Sequence, residues 1–147
     1  MKKIIIIIIC SALFFVACDK EPAKGEYIGN FTGYITDSLD SIEFHSVYLF
    51  NITKSTTKEI VIQEKNGNTS STLQKTEGDS IKGAIGFADI MGHNDDHSTP
   101  VINMIIVQGK YNTIGNKSII EGTFTGHVFY NGGAHPSMGT FHLKQSK

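Results

Sequence analysis

From about residue 26 onward the chain alternates. Apolar and polar side chains change places every second residue, and the apolar ones are mostly β-branched or aromatic. That is the period of a strand with one buried face. No stretch after residue 25 repeats its apolar positions at helical spacing. The pattern predicts strands over Tyr27 to Thr36, Ile42 to Thr53, Lys58 to Glu64, Thr69 to Thr76, Ser80 to Ala88, Pro100 to Tyr111, Lys117 to Tyr130 and Ser137 to Lys144. Turn residues separate them: Asn66-Gly67, the strongest short hairpin signal, then Glu77-Gly78-Asp79, Gly115-Asn116 and the longer Asn131 to Pro136. In the second strand Ile42, Phe44, Tyr48, Phe50 and Ile52 share one face.

Eight strands joined mostly by short turns make an all-β antiparallel meander. Closing it as an up-and-down barrel removes the sheet edges; a two-sheet sandwich is the alternative arrangement. An internal echo favours closure. Gly29-Asn30-Phe31-Thr32-Gly33 near the start is matched by Gly122-Thr123-Phe124-Thr125-Gly126 near the end, with a shorter copy at Gly139-Thr140-Phe141. Glycine alternating with an aromatic on one face allows tight coiling, and these strands become neighbours if the last pairs with the first.

The sixth strand complicates a simple wall. Unbroken alternation places Val101, Ile105 and Val107 on one face and Ile102, Met104 and Ile106 on the other. The second strand (Val47, Tyr48, Leu49, Phe50) and the third (Ile60, Val61, Ile62) are also apolar on both faces. A wall open to water should be polar on one side, so another part of the chain or a second copy is expected to cover them.

The first twenty-five residues follow different rules. Lys2 and Lys3 precede fourteen uncharged residues, Ile4 to Ala17, and the chain turns polar at Asp19. A basic start followed by an apolar run of about 7–15 residues is the layout of a secretory signal. It falls short of the roughly 20 residues a spanning helix needs. Phe15-Val16-Ala17-Cys18 resembles the lipobox of bacterial lipoproteins. That resemblance implies a diacylglyceryl group on the Cys18 thiol, removal of residues 1–17 and acylation of the new amino terminus. Cys18-Asp19-Lys20-Glu21-Pro22 resembles the lysine-then-acid signal that directs lipoproteins to the outer surface of some Gram-negative cells; facing the periplasm is the alternative. The expected organisation is thus a signal peptide at 1–17, a lipidated cysteine with a flexible tether at 18–25, and one domain at 26–147.

Composition narrows what the domain can do. Lys2 and Lys3 are two of the 13 basic residues, which leaves eleven lysines and no arginine against 14 acids. Without arginine, the best reader of phosphates and base edges, nucleic-acid binding is not expected. Cys10 leaves with the signal and Cys18 is taken by lipid, so the domain keeps no thiol for a disulfide, a metal or catalysis. Signal, lipobox and meander together resemble the small lipocalin-like (calycin-like) lipoproteins. In that family a glycine–tryptophan motif on strand one is latched by an arginine. Here the counterpart is Gly29-Asn30-Phe31 in a chain lacking both Trp and Arg, so topology is expected to carry over and the latch is not.

Candidate chemistry is sparse. His93, Asp95, Asp96 and His97 could ligate a divalent ion, although a loop offers no fixed third ligand. His127 and His142 fall on the polar faces of adjacent strands and are expected to be cross-strand neighbours; His135 sits in the long late turn. No nucleophile stands at a recognisable spacing from a base, so no catalysis and no cofactor are expected. Ser38, Ser41 and Ser80 lie in Asp-Ser-apolar triplets that resemble the acceptor of a bacterial O-glycosylation system. The leading expectation is a non-catalytic, membrane-anchored barrel that binds a small apolar molecule or a surface glycan. The alternative is a structural or interaction lipoprotein with a filled core, its apolar outer strands used for homo-oligomeric assembly. An enzyme of unknown reaction comes third.

Overall fold

The computed structural model describes residues 21–36, 41–66, 69–87 and 100–147. Eight strands follow in order: β1 (Gly25–Thr36), β2 (Ser41–Ser55), β3 (Glu59–Glu64), β4 (Ser70–Lys75), β5 (Ser80–Gly86), β6 (Val101–Ile114), β7 (Lys117–Tyr130) and β8 (Gly133–Gln145). Each pairs antiparallel with the next, and β8 returns to pair with β1 from Tyr27↔Gln145 to Ile35↔Ser137. The sheet is a closed barrel in chain order, so the sandwich alternative falls. Closure brings the sequence echoes together: Phe31 faces Phe141 and Gly33 faces Gly139 across β1–β8, while Gly122 faces Phe141 and Phe124 faces Gly139 across β7–β8.

An eight-stranded barrel is just wide enough for side chains to fill it or to hold one small ligand. Here it is filled. Phe31, fully buried on β1, lies at the centre of an aromatic cluster. Its ring meets those of Phe87 at 5.6 Å, Tyr48 at 5.8 Å, Phe50 at 6.0 Å, Phe124 at 6.1 Å and Phe141 at 6.2 Å between centroids. Such pairs contribute about 0.5–1.5 kcal/mol each beyond their area burial. Ile60, Ile62, Leu73, Ile81, Ile85, Ile105 and Val107 are among the aliphatic side chains buried with it.

Glycines make room for this packing. A Cβ on Gly29 would lie 2.6 Å from both Leu143 and the Phe50 ring, and one on Gly33 2.5 Å from the Met138 carbonyl. A Cβ on Gly139 would strike the Thr32 carbonyl and stand 2.9 Å from the tip of Phe124. Gly109 and Gly122 face each other across β6–β7 with the same crowding. Glycines at these inward positions let neighbouring strands coil closely while the rings occupy the space that side chains would have taken.

Two features depart from the reading of the sequence. The β6–β7 register shifts between Ile102 and Met104, a β-bulge at Asn103. The extra residue turns Ile102 inward with Ile105 and Val107, and leaves Met104 and Ile106 outside. Unbroken alternation had put Ile102 with the outer pair. The bulge is fastened on both sides: the Ile102 amide donates to the Tyr48 hydroxyl at 3.1 Å, and the Phe87 amide donates to the Asn103 carbonyl at 2.9 Å. The second departure is the last turn. Asn131 (φ 48°) and Gly132 (φ 77°) form a two-residue hairpin turn of type I′, and β8 already begins at Gly133. Pro136 is therefore inside a strand, one residue beyond the point where pairing with β1 stops at Ser137, so its missing N–H is not needed there.

The segment ahead of β1 closes one end. Pro22 is buried. The Ala23 amide donates to Ser118 Oγ at 3.0 Å, and the Tyr27 hydroxyl donates to the Ala23 carbonyl at 2.7 Å. Burial pushes the Tyr27 phenol above its ordinary range, outweighing a hydrogen bond with Ser118, so it remains a donor. Residues 21–24, part of the expected tether, thus pack on the barrel. The sheet, its core and this cap are complete within residues 21–147.

The glycine and ring packing carries a direct test. Phe31→Ala is expected to cost about 3–5 kcal/mol, and Gly139→Ala about 1–3 kcal/mol through overpacking. Gly78→Ala, which meets nothing within 4 Å and only strains a positive φ, should cost about 1–2 kcal/mol at most. Urea unfolding of residues 21–147 checks the order; equal losses at Gly78 and Gly139 would remove the crowding argument.

Candidate functional site

With the interior packed, the chemistry available to a partner is on the outside, and the register arranges it in bands. One row of outward neighbours runs Ala84, Ile106, Thr125, Met138, Tyr34 across β5, β6, β7, β8 and β1. Beside it Met104, His127 and Pro136 form a second row. Met104 is 52% exposed, Ile106 61% and Met138 57%. These side chains border a shallow, mainly apolar hollow of about 380 Å³ with Thr36 at its edge. Scattered exposed apolar residues are ordinary, but a contiguous band marks a surface that other molecules meet.

The next row is polar, with hydroxyls at its centre: Lys82, Gln108, Thr123, Thr140, Thr32 and His45 are successive partners. Thr32 Oγ1 and His45 Nδ1 are 3.0 Å apart. A third row, Lys110, Glu121, His142 and Asn30, places His142 Nε2 3.7 Å from the Glu121 carboxylate. Between these rows lies a hollow of about 440 Å³ lined by Asn30, Thr32, Glu121, Thr123, Thr140 and His142. Its walls offer hydroxyl, amide, carboxylate and imidazole groups, the inventory that hydrogen-bonds a polyhydroxylated ligand.

The expected site residues fare unevenly. Cys18, Ser38, His93, Asp95, Asp96 and His97 lie outside the described residues. Ser41 is exposed at the first position of β2, opposite Thr36. Ser80 is half-buried at the start of β5, its carbonyl accepting the Thr76 amide at 2.9 Å. His127 and His142 are not neighbours: His127 faces Pro136, while His142 faces Glu121. Six positions along β7 separate Glu121 from His127, roughly 20 Å of strand. His135 lies beside the last turn, its Nε2 3.0 Å from the Tyr130 carbonyl. Among the described residues, no three His, Cys, Asp or Glu side chains converge as metal ligands.

Sequence reasoning did not single out two features. Glu64 is buried at the end of β3, where alternation from Ile60 and Ile62 already pointed it inward. Lys75 Nζ lies 4.5 Å from the centre of the Tyr111 ring. Burial holds this ammonium below its ordinary range, and the Glu21 carboxylate partly opposes the shift. Comparison with known proteins adds no relative: no family model matches the chain, and no curated protein matches it.

The outward band rests on the bulge, which can be tested with one substitution on each side of it. Ile102→Asp should unfold the domain at room temperature, because it buries an unpaired carboxylate. Met104→Asp should stay within about 0.5 kcal/mol of the parent, as a surface change does. Thermal melts followed by circular dichroism separate the two; the opposite ranking would restore unbroken alternation.

Proposed function

We propose that this chain is a non-catalytic, lipid-anchored interaction protein: exported under its amino-terminal signal, acylated at Cys18, held at the outer membrane facing outward, and acting through the outer wall of its barrel. The observation that carries the choice is the packed interior. A barrel that received a small apolar molecule would need space where Phe31 and its neighbouring rings now stand. The band formed by Met104, Ile106, Met138 and Tyr34 then supports assembly with a second copy of the chain, which would remove those side chains from water. A surface-glycan reading keeps one specific support, the hollow between Asn30, Glu121 and Thr140, which mixes apolar wall with hydrogen-bonding groups. Glycosylation at Ser41 would fit its exposure.

The anchor and the assembly are separable. Cells producing the chain and fed labelled palmitate should mark the wild type and leave Cys18→Ser unmarked; equal labelling removes the lipoprotein reading. Residues 21–147 should scatter light as a dimer at micromolar concentration, and Ile106→Lys/Met138→Lys should scatter as a monomer with an unchanged melting temperature. A monomeric parent would remove the assembly reading and leave the glycan one.

A further inference from the structure

Two adjacent outward rows of the wall are polar at every position from β5 to β1. One is Lys82, Gln108, Thr123, Thr140 and Thr32; the other is Ser80, Lys110, Glu121, His142 and Asn30. The rows on either side of this pair are different. One carries Ile106, Met138 and Tyr34, the other Ile28 and Leu49, all exposed. Between the two polar rows run the inward-facing positions Ile81, Gly109, Gly122 and Phe141, again successive partners.

The polar rows are the rims of one trough, and the positions between them are its floor. The hollow of about 440 Å³ takes its walls from both rims on β7, β8 and β1. A second hollow, of about 610 Å³, takes them from both rims on β5, β6 and β7, with Ser80, Lys82, Gln108 and Lys110 at its edges. The two share Gly122 and Thr123, so they meet. From β5 to β1 there are four strand spacings, about 19 Å. On a convex barrel wall a trough needs a cause. Gly109 and Gly122 face each other in its floor, and a Cβ on either would strike the backbone opposite. The strands close in there, and the floor sinks between the rims.

We infer that this trough is a binding site for an extended, uncharged oligosaccharide laid across the strands from β5 to β1. The inference deepens the surface-glycan reading and rests on it. Hydroxyl and amide side chains donate and accept hydrogen bonds at once, as sugar hydroxyls require, and both rims offer them: Gln108, Thr123, Thr140 and Thr32 on one, Ser80 and Asn30 on the other. The fixed charges along the trough cancel. Lys82 and Lys110 stand against Glu121 and Asp79, the last 3.9 Å from Lys110 Nζ. A polyanion would meet the two carboxylates and a polycation the two lysines, so a neutral chain fits best. The shape argues for length. A shallow wall holds a single ring weakly, whereas each further ring adds contacts after the main cost of association has been met once.

An array of immobilised neutral glucans, mannans and galactans, graded from monosaccharide to hexasaccharide, tests this with residues 21–147 carrying a carboxy-terminal tag. Affinity should climb with length and be roughly tenfold or more higher for a hexasaccharide than for its monosaccharide. Gln108→Ala and Asn30→Ala, near opposite ends of the trough, should each weaken hexasaccharide binding roughly three- to tenfold, as the loss of one hydrogen bond does. Both should keep the parent's urea midpoint, as surface changes do. Salt at about 0.5 M should leave the affinity unchanged. Equal affinity for monosaccharide and hexasaccharide, or two variants that bind like the parent, would overturn the trough and leave a glycan held in one hollow. Affinity lost in salt would overturn the neutral chain. Binding to no member of the array would remove the trough and the glycan reading together.

Discussion

The structure depends on a volume constraint. A ring of eight strands encloses a narrow space, and this chain fills it with phenylalanine rings that would not fit beside ordinary neighbours. Gly29, Gly33 and Gly139 leave out the Cβ atoms that would collide with Phe50, Phe124 and the facing backbone. Each ring is accommodated by an absence on the next strand, and each absence requires a ring to fill it. The repeated Gly-x-Phe-x-Gly spacing is the linear trace of this exchange.

A filled interior moves the question of function to the wall. There the register sorts side chains into an apolar row, a hydroxyl row and a charged row, although neighbours in each row come from different strands.

Alternation was enough to read the number, order and type of the strands, and β7 matches its predicted bounds because Asn116 and Asn131 punctuate it sharply. The bulge was not legible. Ile102, Asn103 and Met104 look like ordinary alternation, and the bonds that fasten the extra residue come from the Tyr48 hydroxyl, more than fifty positions away in sequence, and the Phe87 amide. The last turn was misjudged for another reason. Asn131-Gly132 is a strong two-residue signal, but Gly133 and Pro136 beside it read as more loop, and Pro136 is tolerated because pairing of β8 with β1 stops at Ser137. His127 and His142 illustrate the same limit: face was readable from parity, whereas register across β7–β8 was set by the turn. The outer rows were invisible for that reason too, since each is assembled from positions far apart in the chain.

The seam between β1 and β8 has a further meaning. It joins Tyr27 to Gln145, so the first strand waits for the last before its hydrogen bonds are complete. A ring of this kind cannot finish folding on a ribosome, domain half by domain half; its slowest contacts are also its most distant. The polypeptide therefore stays open until its final strand is available, and closure of the seam is the step that fixes all the others.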